Sequence, residues 1–169
     1  MNELWKNSVW QQFGAAIDML DNTLVDCPTE LWQAAVWPND AGFSDFWYVS
    51  YHTLFFLDLY LSGAVAGFLP PDPFTLDELD PAGVLPPRVY TKEELRTYLA
   101  HCRHKCQSVT ETLTPERAAE RCRFPWGEVS FAGLLLDNMR HVQEHGAQLR
   151  LFLGQQQGTA AKWVAQVKS

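Results

Sequence analysis

Apolar residues recur every three or four positions along four stretches of the chain, a spacing that places them on one face of an α-helix. The stretches cover about residues 3–25, 44–62, 91–113 and 130–154. The strict alternation of apolar and polar residues that is typical of β-strands is almost absent. The pattern therefore predicts an all-α fold, a four-helix bundle in which each amphipathic helix turns its apolar face inward.

Residues that commonly start or stop helices stand at the predicted boundaries. They are Pro28 after the first helix, Ser44 and Gly63 around the second, Thr91 before the third, and Ser130 and Gly154 around the fourth. Serine and threonine accept a bond from an unpaired helix N–H, glycine adopts the left-handed conformation at a helix end, and proline disfavours a helical residue before it. Thr91 and Glu94 also have the spacing of a capping box.

The segments that connect the later helices differ from them in composition. Residues 68–90 hold six of the ten prolines, which excludes a continuous helix. A connection of this length is either a functional segment such as a lid or simply a long crossover. It suggests that helices two and three are not simple antiparallel neighbours. Residues 117–128 are polar and predict a loop.

Length and charge narrow the class of protein. With 169 residues, 47% of them hydrophobic, the chain suits one globular domain over residues 1–169, with a weakly specified tail at 154–169. A net charge of −7 without a basic stripe argues against nucleic-acid binding. No signal peptide and no membrane span are evident. We therefore expect no membrane partner, a cytoplasmic location and four cysteines that are free thiols.

Two candidate metal ligands lie on the apolar face of the fourth predicted helix. His141 and His145 are four residues apart, so their rings stack one turn above the other and can converge on one metal ion. His52 lies among core residues of the second predicted helix. Taken alone, each histidine is better explained as a core residue satisfied by hydrogen bonds. Together the three have the pattern of a catalytic metal site, in which three neutral ligands leave a fourth position open.

Residues 101–106 form a second cluster of metal-binding residue types. Cys102 and Cys106 fall on the core-facing stripe of helix three, where free cysteine behaves as a small apolar residue. His101 and His104 fall on other faces of the same helix. Ligands to one ion must share a face, so this arrangement argues against a zinc site.

The segment from His141 to His145 also matches H-x-x-E-H, the signature of inverted zincin peptidases, with Glu144 as the general base. Such a site needs a further acidic residue downstream. No aspartate or glutamate follows Glu144, and helix phase turns its side chain away from both histidines. The sequence therefore argues against a peptidase.

A histidine in the middle of helix two, followed late in helix four by H-x-x-x-H, a glutamine and an apolar end, resembles the DinB-like (DinB/YfiT-like) metal-binding bundles. The matching segments are PWGEVSFAGLLLDNMR and HVQEHGAQLRLFL, and the resemblance covers about Glu3 to Leu153. It implies an up-down-down-up bundle in which His52, His141 and His145 hold a divalent metal, often nickel or zinc. It also implies a homodimer and, in some relatives, a thiol-dependent S-transferase or isomerase.

Two classes of function follow from these expectations. In the first, the protein is a metalloenzyme that acts on a small-molecule substrate through the open metal position, which binds water, as in a hydrolase, or a low-molecular-weight thiol. The thiol would be exogenous, because the chain's own cysteines lie in the core seam or in connections. Asp137 or Asn138 would orient a ligand through a hydrogen bond. In the second, the protein is not an enzyme, and the metal stabilises a bundle that binds a small molecule or a partner.

Overall fold

Four long helices make up most of the computed structural model, which describes residues 3–38 and 41–168. They are α1 (Glu3–Asp26), α2 (Phe46–Ser62), α3 (Lys92–Thr112) and α5 (Phe131–Gln157). The remaining elements are 3-10 turns at Thr29–Leu31 and Asp77–Leu79, a short helix α4 (Pro115–Ala119), and a hairpin of β1 (Arg121–Phe124) and β2 (Gly127–Ser130). The predicted all-α four-helix bundle is confirmed, with a small hairpin added.

The directions of α1 and α3 follow from contacts between their ends. Lys6, near the start of α1, donates a hydrogen bond to the carbonyl of Glu111, near the end of α3. Arg96, near the start of α3, pairs with Asp21, near the end of α1. The two helices are therefore antiparallel.

The direction of α2 follows from its contacts with α3 and α5. Cys102 contacts the carbonyl of Leu54, and three residues further along α3, Lys105 reaches Ser62 at the end of α2. Helices α2 and α3 are therefore parallel, which confirms that they are not antiparallel neighbours and explains why a long connection joins them. The chain returns along the bundle in residues 63–91 before α3 begins.

Helix α5 runs antiparallel to α2. The ring of His52 lies against that of His145, while further along α2 the carbonyl of Leu57 accepts a hydrogen bond from Asn138, earlier in α5. The bundle therefore has the up-down-down-up order that the family resemblance implied. Asn138 is fully buried, so its bond to Leu57 fixes the two helices against each other in the interior.

Most of the predicted helix boundaries are confirmed, and two are wrong. Thr91 and Glu94 form the capping box, and Ser130 accepts a bond from the Gly133 N–H. The N-cap of α2 is Asp45 rather than Ser44. Ser44 is instead fully buried, and its carbonyl bonds to Val36 in the preceding segment.

The last helix is longer than predicted. We expected Gly154 to end it, but α5 continues to Gln157 and Gly158 adopts the left-handed conformation, with φ of 72°. Three glutamines after Gly154 are good helix formers, so one glycine in their path does not stop the helix. The carbonyl of Gly154 accepts a hydrogen bond from the Gly158 N–H at the end of the helix.

The segment predicted as a loop at 117–128 contains the end of α4 and most of the hairpin. Each strand has four residues, too few for a clear alternating pattern, which is why the sequence did not reveal them. The hairpin turns Phe124 inward onto Tyr60 of α2, with ring centroids 5.0 Å apart. Trp126 at its tip donates a hydrogen bond to the Tyr60 hydroxyl at 3.1 Å.

The tail after α5 lies against α1 without forming a helix. Val167 donates a backbone hydrogen bond to Gln11, and Lys168 donates one to the Asp18 carboxylate. Gly14 makes room for this contact, because a Cβ at that position would overlap the Val167 side chain. In the part of the chain that the structure describes, no helix combines the length and apolar character needed to cross a membrane.

Candidate metal centre

His52 of α2 and the pair His141 and His145 of α5 meet between the two helices. One ring nitrogen from each lies within 4.8 Å of the others. The ring centroids are 5.3 Å apart for His52 and His141, 5.1 Å for His52 and His145, and 4.6 Å for the two α5 histidines. Among the described residues this is the only group of three or more histidine, cysteine or acidic side chains with that geometry. The three predicted residues are therefore brought together.

Local sequence explains how each ring reaches this place. His141 and His145 are one turn apart on the face of α5 that packs against α2, beside the buried Asn138. His52 is packed in α2 against Phe56, with ring centroids 4.8 Å apart. The antiparallel packing of the two helices then brings one histidine of α2 between two of α5.

The separation of two of these rings matches the bond lengths of a metal site. The Nε2 atoms of His52 and His141 are 3.4 Å apart. Two nitrogens that bind one tetrahedral zinc ion at about 2.0–2.1 Å are separated by about 3.4 Å. The residues present therefore fit a single divalent ion held between the helices.

Hydrogen bonds to neighbouring side chains fix the tautomer of two of the three rings. His52 Nδ1 donates to the Glu78 carboxylate at 2.9 Å, and His145 Nδ1 donates to the Gln148 side-chain oxygen at 2.8 Å. With Nδ1 protonated, each Nε2 keeps its lone pair free for coordination. A carboxylate or amide behind a ligating histidine is the usual arrangement in metal sites.

These hydrogen-bond partners differ from the ones that we expected. Asp137 is partly exposed and lies 3.5 Å from Arg140, while Asn138 bonds to Leu57, so neither is seen to support a ligand. Gln148 was visible in the sequence, on the same helix face as the histidines. Glu78 was not, because it comes from the proline-rich connection, where no periodicity shows which way a side chain points.

Burial keeps two of the rings in their ligating form. Burial, followed by the neighbouring His145 and His52, lowers the pKa of His141 to about 3. Burial is also the main cause that lowers the pKa of His145. Both are therefore neutral near pH 7. His141 Nδ1 is buried and has no hydrogen-bond partner among the described residues, so no hydrogen bond fixes the tautomer of this ring as it does for His52 and His145.

The cysteines and histidines of residues 101–106 do not form a metal site. Cys102 and Cys106 are fully buried in the core, while His101 lies 3.6 Å from Asp58 and His104 is exposed. The two cysteines thus face the core and the two histidines point elsewhere, as the helix phase predicted.

Glu144, the base in the peptidase interpretation, is exposed on α5 and is absent from the His52 cluster. It cannot act on a ligand held by the three histidines. The structure therefore agrees with the sequence in arguing against a peptidase.

Comparison with protein-family models matches residues 12–149 to the DinB superfamily. The matched region includes all three histidines and the four long helices, apart from the start of α1 and the end of α5. No curated protein and no solved structure matches the chain.

Proposed function

The chain belongs to the DinB superfamily, and on that premise we propose that His52, His141 and His145 hold one divalent metal ion with an open coordination position. The observation that carries the proposal is the 3.4 Å separation of the His52 and His141 Nε2 atoms. Hydrogen bonds that favour the Nδ1–H tautomer of His52 and His145 support it. This separation favours a tetrahedral ion such as zinc. Nickel is the other metal that the family resemblance suggests.

We further propose that the protein is a metalloenzyme, with a thiol-dependent S-transferase or isomerase as the first candidate. When bound, a divalent ion with three neutral ligands lowers the pKa of water or a thiol at its open position. Glu78 holds the His52 ring in the ligating tautomer, and Gln148 does the same for His145. The residues of the chain thus supply orientation, while the nucleophile comes from the ligand.

The thiol in such a reaction would come from outside the chain. All four cysteines are free and buried. Burial raises the pKa of Cys27 and of Cys106 to about 12, and it raises the pKa of Cys102 well above its ordinary value. A buried, protonated thiol is a poor nucleophile and a poor ligand.

Two alternatives use the same histidines. In one, the open position binds water and the protein is a metal-dependent hydrolase. In the other, the ion is structural, since it would tie α2 to α5, and the bundle binds a small molecule or partner without catalysis. A homodimer, a cytoplasmic location, a small-molecule substrate and the lack of nucleic-acid and membrane partners stay predictions.

Cobalt substitution followed by titration with small thiols tests the proposal. We expect about one ion per chain, the stoichiometry of a single three-histidine site. A sulfur-to-metal charge-transfer band should then grow with added thiol. A chain that stays metal-free after incubation with zinc, nickel and cobalt would refute the metal site. A band that is present before thiol is added would show that one of the chain's cysteines is a ligand.

A further inference from the structure

A cavity of about 420 Å³ opens beside two of the metal-binding candidates. His52 and His145 line it, and its remaining walls are Trp37, Phe43, Tyr48, Val49, Phe56 and Glu78. Its volume falls in the range of small-molecule sites, which are mostly apolar with a few polar groups. We propose that this cavity binds a substrate with an aromatic, uncharged body and a metal-ligating group such as a thiolate. The proposal rests on the proposed metal site.

Four of the walls are aromatic rings, of which Phe43, Tyr48 and Phe56 are held by packing, while Trp37 is 37% exposed. Phe43 meets Tyr48 edge to face with centroids 5.2 Å apart, and Phe56 packs against His52 at 4.8 Å. Tyr48 is buried, which, with the neighbouring Glu78, raises its pKa well above the ordinary value and leaves its hydroxyl neutral. Rings fixed in this way offer faces and edges to another aromatic ring without losing much side-chain freedom on binding.

The few polar groups in the walls exclude two other kinds of ligand body. A sugar-like or peptide-like body would leave several of its donors and acceptors unpaired against five apolar walls, which is costly. A cationic body would approach the metal ion. Before a ligating thiolate binds, +2 on the ion and −1 on Glu78, with neutral histidines, give the part of the cavity near His52 and His145 a net charge of about +1, which repels a cation.

Glu78 does not turn the aromatic walls into a site for cations. One of its oxygens accepts the hydrogen bond from His52, the other is buried without a hydrogen-bond partner among the described residues, and only 5% of the side chain is exposed. The carboxylate therefore offers little accessible surface for a cation to approach. The aromatic walls therefore favour a neutral aromatic body whose single ligating group points toward His52 and His145.

Two thiols that share a ligating group but differ in their bodies test this proposal. We would titrate phenylmethanethiol and 2-mercaptoethanol into the cobalt-loaded protein and follow the sulfur-to-metal band, with metal content measured on the same samples. The expected result is at least tenfold tighter binding of phenylmethanethiol, since only its ring can be buried in the cavity.

Substitutions of wall residues test whether such a preference for the aromatic thiol comes from the cavity. Trp37→Ala and Phe43→Ala should each reduce the preference several-fold, while metal content and the affinity for 2-mercaptoethanol stay the same. Trp163→Ala is the matched control, because Trp163 is a largely exposed tryptophan that is absent from the cavity walls, and its removal should leave the preference intact.

The possible failures are distinguishable. Protein that holds its ion but binds both thiols equally, or that keeps the preference in Trp37→Ala and Phe43→Ala, refutes the aromatic subsite and leaves the metal site standing. Protein that takes up no ion refutes the proposed function and this proposal with it.

Discussion

Two histidines of the cluster have hydrogen-bond partners in different parts of the chain. His145 bonds to Gln148, three residues later on the same helix, so this hydrogen bond needs only α5. His52 bonds to Glu78, 26 residues away in the connection between α2 and α3. The ring from α2 is therefore oriented only once residues 63–91 have packed back along the bundle. One half of the site depends on local helix geometry, and the other half depends on tertiary packing.

The connection is packed rather than loose along the part that leads to Glu78. Phe68, Phe74 and Tyr90 are all buried, and Phe74 stacks on Tyr98 of α3 with centroids 4.4 Å apart. Of the two interpretations left open by the sequence, a crossover and a functional segment, the structure supports features of both. The segment crosses the bundle and also delivers the carboxylate that holds His52.

The largest effect is expected when one of the three histidines is removed. His52→Ala removes the only ligand from α2, so tight metal binding should be abolished, because two histidines from one helix leave the ion with half its tetrahedral positions unfilled by protein. His101→Ala is the matched control on α3 and should bind normally. Metal content after dialysis measures both. Equal loss in the two variants would contradict the assignment of ligands.

The second prediction concerns the packing of the connection. Phe74→Ala deletes a buried ring and should lower the free energy of unfolding by about 3–5 kcal/mol, the usual cost of such a truncation. Leu69→Ala, at an exposed position in the same segment, should change it by less than about 0.5 kcal/mol. Urea unfolding measures the difference. Similar small values for both would mean that the connection adds little to stability.

The third prediction compares the two supporting hydrogen bonds directly. Glu78→Ala should weaken metal binding by about 10–100-fold, as is usual when the partner of a ligating histidine is lost. Glu78→Gln keeps an acceptor without the charge and should fall between that variant and the wild type. Gln148→Ala should weaken binding less than Glu78→Ala, because it removes a neutral partner.

Asp77→Asn controls for general disturbance of the connection, since Asp77 lies in the same 3-10 turn but bonds to Thr75 instead of a histidine. Its metal affinity and cobalt ligand-field spectrum should match the wild type. If Asp77→Asn and Glu78→Ala change the spectrum alike, the effect comes from the fold of the turn and Glu78 is not a positioning residue for His52.

The smallest effect is a pH dependence of the metal-free protein. The pKa of His141 is about 3 in the folded chain and about 6.5 when unfolded, so between these values the unfolded state binds more protons. Stability should therefore fall as pH drops below about 6.5, with His141 contributing about 2 kcal/mol of the loss by pH 5. Urea unfolding of wild type and His141→Gln at pH 7 and pH 5 isolates that contribution. The same pH dependence in both would contradict the burial of a neutral His141.

Features that depend on neighbours within one or two helical turns could be predicted from the sequence. The apolar spacing identified four helices, the Thr91 and Glu94 pair identified a helix start, and the four-residue interval of His141 and His145 placed both rings on one face. These properties follow from the 3.6-residue period of a helix, which is the same wherever the helix packs. The position of His52 among core residues of the second helix made it the third candidate ligand, and the family resemblance added the order of the helices.

Features that join distant parts of the chain became visible only in the folded protein. Glu78 behind His52, the inward Phe124 of a hairpin with four-residue strands, and the aromatic cavity beside the histidines all come from segments without a clear period. Gly154 marks a different limit, since one local stop signal was overridden by other local residues, the helix-forming glutamines after it. Side chains in such segments are placed by the packing of the whole bundle, and no local spacing encodes where they point.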